Sequence, residues 1–395
     1  MAEAGVARQP KRGFFRIAGL VGLVLLAGCQ TVIPKGRAPA PPVRPQETTG
    51  PITSALPQDQ TRHRIALLVP MSGPNAAVGQ SIANAANLAM LDTGGAKLRM
   101  TIYDTGPGAG VAAQRALNEG NKLFLGPLLA ADVRLVAAMT AKANVPIVSF
   151  SNDHDVAGSG VYVMGFAPDQ AIRRVVDYAK SRGITRFAGL MPSGIYGRNA
   201  SVTLIKAVEA SGAKMVAMQN YDRNPKSLAT AVAALGKGQA YDAVLIADGG
   251  RIAVAAAPLI RKGTSPDARI LGTELWNADN LIANSPALRG AWYASVSDSL
   301  YNQLATKYRV RYGKASFRLS SLGYDAVLLS VRIAGDWKVG DPFPIRKLED
   351  KGGFAGVDGA FRFGGDHVAE RALEVHEAAP GGGSVVSPAP RGFDN

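Results

Sequence analysis

Reactive side chains are scarce in this chain. Cys29 is the only thiol among 395 residues, and His63, His154, His367 and His376 are the only imidazoles. Those histidines lack metal-ligand spacing, and no Gly-x-Ser-x-Gly elbow offers a hydrolytic serine. Asp153-His154-Asp155 sets carboxylates beside an imidazole, yet adjacent loop residues point different ways and no nucleophile accompanies them. Gly106-Pro107-Gly108-Ala109-Gly110 is a glycine-rich turn; Pro107 and the lack of a following Lys-Ser/Thr exclude a phosphate-binding loop. No catalytic residue, metal or cofactor is therefore expected. Cys29 differs because of what precedes it. Arg8, Lys11, Arg12 and Arg16 form a positive segment, Ile17 to Ala27 an apolar run, and Ala27-Gly28 a small-residue step. That is the layout of an export signal. The run is too short for a permanent membrane span, which needs about 20 apolar residues.

Leu26-Ala27-Gly28-Cys29 resembles the lipobox of bacterial lipoprotein precursors. The resemblance implies that Cys29 receives a diacylglyceryl group, that a peptidase removes residues 1–28, and that the new amino terminus is acylated. Gln30, where aspartate would mark inner-membrane retention, implies the periplasmic face of the outer membrane. The alternative is an ordinary secretory signal with an incidental cysteine. Cleavage removes four basic residues and Glu3, lowering the formal charge from +14 to +11. A basic surface suits anionic partners without specifying a fold. No basic helix, zinc-finger spacing or ribonucleoprotein pattern points to nucleic acid. With one cysteine the exported domain has no disulfide. Its 47% hydrophobic content is enough to build a core. Seven prolines punctuate residues 30–61, so 29–61 reads as the lipidated cysteine and a tether. In polyproline II, at about 3.1 Å per residue, it would reach roughly 100 Å.

Beyond Arg64, buried-strand and amphipathic-helix patterns alternate. Strands are expected at Ile65 to Val69, Leu98 to Tyr103, Lys122 to Leu125, Pro146 to Phe150, Phe187 to Met191, Lys214 to Met218 and Ala243 to Ala247. Helices are expected at Ser81 to Met90, Ala112 to Glu119, Val133 to Lys142, Gln170 to Ser181, Ala200 to Ala210 and Ser227 to Leu235. Strands joined by helices imply right-handed βαβ units and parallel sheets covered on both faces. So long a run implies two α/β lobes.

In order, Ile65-Ala66-Leu67-Leu68-Val69-Pro70-Met71-Ser72-Gly73-Pro74, Gly79-Gln80, Gly126-Pro127, Pro146 to Ser151, Tyr196-Gly197, Tyr241 to Val244, Leu271-Gly272-Thr273-Glu274, Tyr324 to Val327 and Gly356 to Phe363 resemble type I periplasmic binding proteins of the leucine/isoleucine/valine-binding kind. The resemblance implies a two-lobed α/β fold over residues 62–378, each lobe a mostly parallel sheet flanked by helices, with three crossover strands. It assigns about 62–166 and 295–338 to lobe 1, and about 167–294 and 339–378 to lobe 2. Residues 379–395, rich in Gly, Pro and Ser, are expected to be a disordered tail. By the same mapping Ser72, Ser149, Ser151, Asn152, Tyr196, Asp248 and Glu274 face the ligand cleft. Asp248 and Glu274 would meet an ammonium, and Tyr196 would cover an apolar group.

After Gly126-Pro127, amino-acid binders of the family offer serines and a threonine to the ligand carboxylate; this chain has Leu128-Leu129-Ala130. Together with the lipobox, the tether and Leu271 to Asn277, that substitution resembles the lipid-anchored penicillin-binding protein activators. The resemblance implies a bifunctional peptidoglycan synthase as partner. Because tryptophan is enriched at binding hot spots, Trp276 and Trp292 are candidate contacts, the other reading being that they pack lobes or crossovers. The alternative within the same fold is a substrate-binding lipoprotein that delivers an amino acid or similar small polar ligand to an ABC permease.

Overall fold

The computed structural model describes residues 61–166, 168–277, 280–390 and 393. Contacts divide the chain into Met1–Thr53 and Ser54–Asn395, and all described residues fall in the second unit. The signal segment, Cys29 and nearly all of the tether lie outside the described residues.

The first lobe opens with β1 (His63–Val69), whose Ile65 to Val69 run is completely buried, as a central parallel strand covered on both faces requires. Then come α1 (Ala76–Asp92), β2 (Leu98–Asp104), α2 (Ala109–Asn118), β3 (Phe124–Leu125), α3 (Ala130–Ala143), β4 (Ile147–Ser149) and β5 (Val161–Val163). The sheet runs β2-β1-β3-β4-β5, and every pairing is parallel. A first crossover leads into the second lobe: α4 (Pro168–Ser181), β6 (Arg186–Pro192), α5 (Ile195–Ala210), β7 (Lys214–Tyr221), α6 (Pro225–Leu235), β8 (Ala243–Ile246), α7 (Gly250–Arg261), β9 (Arg269–Gly272), the short α8 (Asn280–Ala283) and β10 (Trp292–Ser295). A second crossover returns to α9 (Ser299–Tyr312), α10 (Ser320–Ala334) and the antiparallel β11 (Phe354–Gly356), β12 (Gly359–Phe363) and β13 (Ala369–Arg371). The third enters β14 (Glu374–Ala379) and β15 (Gly382–Ser387). The second sheet is ordered β15-β14-β10-β9-β8-β6-β7, parallel from β10 to β7 and antiparallel at β14 and β15.

The two-lobed α/β fold is the one the sequence implies. Helices α1 and α5 start earlier than their apolar periodicity suggests, at Ala76 rather than Ser81 and at Ile195 rather than Ala200. Neither N-cap, Asn75 nor Gly194, makes a side-chain capping bond, so the usual start signal is missing. In lobe 1, α10 is buried along almost its whole length. It lies so close to α1 that a Cβ on Gly323 would sit 2.5 Å from the Ile82 carbonyl oxygen, which excludes any larger residue there.

Two boundaries need correction. Residues 339–371 belong with lobe 1 rather than lobe 2, because Phe343, Leu348, Phe354, Phe361 and Phe363 share one core cluster with Ile65, Leu67 and Tyr162. Phe363 meets Tyr162 edge-on at 5.2 Å. The tail is also not wholly irregular. Gly382–Ser387 pairs antiparallel with Glu374–Ala379, and Arg174 Nη2 donates to Ser387 Oγ at 2.6 Å. Glycines at the turn, read as disorder, make the hairpin. Gln170 ties the crossovers together: its Nε2 donates to the Ala369 carbonyl (2.7 Å) and its Oε1 accepts from the Arg371 N–H (2.8 Å). Arg371 Nη2 in turn donates to the Met164 carbonyl at 2.6 Å.

Candidate functional site

Ligands of open parallel sheets bind beyond the carboxyl ends of the strands, and the candidate residues lie there in both lobes. On lobe 1, the loop from β1 to α1 is pinned by Asp104, whose Oδ1 accepts from the backbone N–H of Met71 (2.7 Å), Gly106 (2.8 Å) and Ser72 (3.3 Å). Burial pushes the Asp104 carboxyl up, but the hydrogen bonds from Ser72, Gly106 and Met71 outweigh it and hold the carboxyl below its ordinary value. Ser72 itself is exposed. Ser149 and Ser151 are fully buried and their hydroxyls are engaged within the chain. Ser149 Oγ donates to the Pro127 carbonyl (3.1 Å) and accepts from the Ser151 N–H, while Ser151 Oγ accepts from the Asp153 N–H. They shape the loop; Asn152 at its tip is exposed. Leu129, the N-cap of α3, is 41% exposed, so an apolar side chain stands at the helix mouth.

Lobe 2 holds the more unusual chemistry. Tyr196 stands in the first turn of α5, and Glu274 opens a 3-10 turn that follows β9. The Tyr196 hydroxyl donates to Glu274 Oε1 at 3.0 Å and lies 3.1 Å from Thr273 Oγ1. Glu274 Oε2 is buried and has no hydrogen-bond partner among the described residues. Burial is the main cause that pushes the Glu274 carboxyl up to about 7; bonds from its own backbone N–H, Tyr196 and Thr273 pull it down, and the negative Asp169 raises it further. Burial, reinforced by the Glu274 charge, likewise holds the Tyr196 phenol well above its usual range. A narrow void of about 20 Å³ beside Glu274 is lined by Phe166 and Gln170 at the first crossover and Arg371 at the third, which puts this carboxyl at the seam between the lobes.

Asp248 is nearby in the fold but differently employed. Its Oδ2 accepts from the Tyr221 hydroxyl (2.7 Å) and Arg223 Nε (2.8 Å), its Oδ1 from the Gly249 N–H, and its carbonyl from Trp276 Nε1 (2.8 Å). It is an ion-paired anchor with no oxygen left over. Tyr221, Arg223 and Thr273 were not among the residues singled out from sequence. The Tyr-Asp-Arg run at the carboxyl end of β7 is the available signal for the first two.

Of the two roles open to Trp276 and Trp292, partner contact or internal packing, the structure favours packing. Trp276 is 1% exposed, its indole lying over Gly272, where a Cβ would be 2.2 Å from the ring. Trp292 is 7% exposed, with Arg269 over one face at 4.3 Å, Tyr178 edge-on at 4.9 Å and its Nε1 bonded to Glu377 at 2.9 Å. Both carry partnered N–H groups and pack the second lobe. Nor does Asp153-His154-Asp155 form a relay: Asp153 pairs with Arg134 at 2.7 Å, and His154 Nε2 is 3.7 Å from Asp169. Among the described residues no group of three or more His, Cys, Asp or Glu is disposed to hold a metal ion.

Two lobes joined by three crossovers, with polar loops at the carboxyl ends of their strands, define the two-lobed binding-protein fold. The chain belongs to the periplasmic binding protein family, whose model matches residues 63–383. It is similar to the crystal structure of a putative branched-chain amino acid ABC transporter protein from Rhodospirillum rubrum, with 18% identity, a TM-score of 0.71, and coverage of 82% of this chain and 100% of that one. It is also similar to the leucine binding protein LivK of Thermotoga maritima, with 20% identity, a TM-score of 0.61, and coverage of 83% and 98%. These likenesses establish the fold. A sequence relative, protein RP748 of Rickettsia prowazekii, is 24% identical over 177 residues; the match spans 44% of this chain and about half, 47%, of that protein.

Proposed function

We propose that the protein is an extracytoplasmic receptor that captures an amino acid or related amine between its lobes and presents it to an ABC permease. The observation that carries this reading is Glu274: a carboxyl at the lobe seam, held by Tyr196, with one buried oxygen unpaired among the described residues. Perturbed carboxyls in clefts mark functional sites, and an ammonium would complete this one. Its structural neighbours, a putative branched-chain amino acid ABC transporter protein and a leucine binding protein, support the same reading. On lobe 1, Leu128 and Leu129 would meet the apolar part of the ligand. A ligand carboxylate would find the backbone N–H groups that open α3 in place of hydroxyls. Lobe closure follows if the ligand binds the closed form better. A diacylglyceryl and N-acyl lipid on Cys29 would hold the receptor on the periplasmic face of the outer membrane.

The test is a thermal-shift screen of amino acids, their amides and simple amines against wild type and Glu274→Gln. Amine-bearing compounds should stabilise wild type and not the variant. An equal response to carboxylates lacking an amine would refute the reading.

One observation favours a second reading, in which this fold contacts and activates a bifunctional peptidoglycan synthase. Leu129 is exposed where the family offers its clasp. Recovery of such a synthase from detergent-solubilised envelope on Ser54–Asn395 as bait, lost with Leu129→Glu, would move the assignment there.

A further inference from the structure

A groove of about 840 Å³ is lined by residues of the second crossover and does not include Glu274. Asn277, Glu374 and His376 wall it from lobe 2, Tyr301 and Arg318 from lobe 1, and Asp298 from the crossover itself. Neither Ser72, Tyr196, Asp248 nor Glu274 lines it. Its size is that of small-molecule sites, roughly 300–1,000 Å³.

Residues that line the groove carry buried polar atoms with no hydrogen-bond partner among the described residues. His376 is 5% exposed, stacks on Tyr293 with ring centroids 5.0 Å apart, and its Nε2 has no hydrogen-bond partner among the described residues. The nearest carboxylate oxygen, Glu374 Oε2, is 3.3 Å away. Arg318 bonds Asp358 and Ser321 through Nη1 and lies over the Tyr301 ring at 3.9 Å; its Nε and Nη2 have no hydrogen-bond partner among the described residues, although Nη2 is ion-paired with Asp298 Oδ1 at 3.9 Å. Asn277 gives Nδ2 to Asp298 Oδ1 at 2.8 Å, and its Oδ1 is unpaired on the same terms. Buried polar atoms are nearly always paired, and one left unpaired is destabilising. Several gathered in one groove invite a ligand.

The character of these atoms defines its chemistry. Arg318 offers donors, Asn277, Asp298 and Glu374 offer acceptors, and the imidazole serves either way. Cationic and anionic groups are interspersed along the groove, Arg309 and Arg318 with Asp298 and Glu374, and Arg318 is already paired with the buried Asp358. Hydroxyl groups, which donate and accept at once, match such a mixed set. Trp276, Ile282 and Tyr293 supply apolar lining for carbon–hydrogen faces.

We propose that this groove binds an uncharged sugar of one or two rings, either free or as a unit of a glycan chain. A sugar bound there bridges both lobes, at a site separate from the amine cleft.

The test is isothermal titration of Ser54–Asn395, a compact unit with its own cores, with glucose, N-acetylglucosamine and its β-1,4-linked dimer. Co-sedimentation with insoluble cell-wall glycan is the second arm. Saturable binding of a free sugar identifies the soluble source, and co-sedimentation alone identifies the polymer. Either should weaken at least tenfold in His376→Ala. Either should disappear in Asn302→Trp, which sets an indole on the exposed α9 wall. Both variants should keep the thermal-shift response to amines, showing that they fold, and Glu274→Gln should keep sugar binding. The proposal is overturned if none of these probes binds, or if binding persists in Asn302→Trp. Loss of sugar binding with Glu274→Gln would overturn it too, by placing the sugar in the cleft.

Discussion

Replacing Glu274 by glutamine should make the unliganded protein more stable while removing its binding function. The side chain keeps its shape and an oxygen for the Tyr196 hydroxyl, but it no longer has to ionise in a buried setting. In the folded protein the carboxyl sits at about 7 against 4.5 for the ordinary group. That gap corresponds to about 3 kcal/mol at about 1.4 kcal/mol per pH unit. The sign follows from which state holds the proton more tightly. The folded state does, so the stability tied to protonated Glu274 is full below pH 4.5, declines as the unfolded chain begins to ionise, and is gone above about 7. Glutamine does not titrate and keeps it. Urea unfolding of wild type and Glu274→Gln across this range should therefore give nearly equal stabilities at about pH 4, with the variant ahead by about 3 kcal/mol at about pH 8. A variant no more stable than wild type at the higher pH would show that the carboxyl is not held in a costly state, and the case for it as a ligand group would fall. The conflict between stability and retention of glutamate is what a binding residue produces.

Three further outcomes follow from the packing and the amino-terminal segment. Trp276→Ala should cost about 3–5 kcal/mol, read from denaturant midpoints, because the indole is fully buried and its N–H holds the Asp248 carbonyl; a wild-type midpoint with a selectively lost partner would restore the contact role. Truncation after Pro380 should lower the melting temperature, since it strips the edge pairing from β14 and the Arg174 to Ser387 bond; an unchanged melt would mean that β15 adds nothing. Cys29→Ala in the full chain should abolish metabolic labelling by palmitate and release the protein from the membrane fraction; persistent labelling would place the lipid elsewhere.

How much of this was legible in the sequence depends on the kind of force involved. Strands such as Ile65 to Val69 and Ala243 to Ile246 were readable because a parallel strand buried on both faces must be continuously apolar. The early turns of α1 and α5 were not, since they bear no capping side chain. Val161–Val163 is three residues long, too short for its period to register. Residues 339–371 were placed in the wrong lobe because sequence order does not say which core a phenylalanine joins; Phe361 and Phe363 settle that by packing on lobe 1. Among the candidate residues, Tyr196 and Glu274 are brought into hydrogen-bond contact. Ser149 and Ser151 share the composition of ligand-binding loops, but their hydroxyls serve the loop itself, a distinction set by where their hydrogen bonds go. The same holds for Asp248, whose ionic partner Arg223 lies on a different strand end.

The most direct test of the central claim is isothermal titration of the strongest amine-bearing hit into wild type at pH values on either side of about 7. If Glu274 receives the ammonium, affinity rises as the carboxyl ionises, increasing up to about tenfold per pH unit below the midpoint and levelling off above it. Glu274→Gln binds weakly throughout and with no such slope. Affinity that is flat across this range, or unchanged in the variant, would contradict the account.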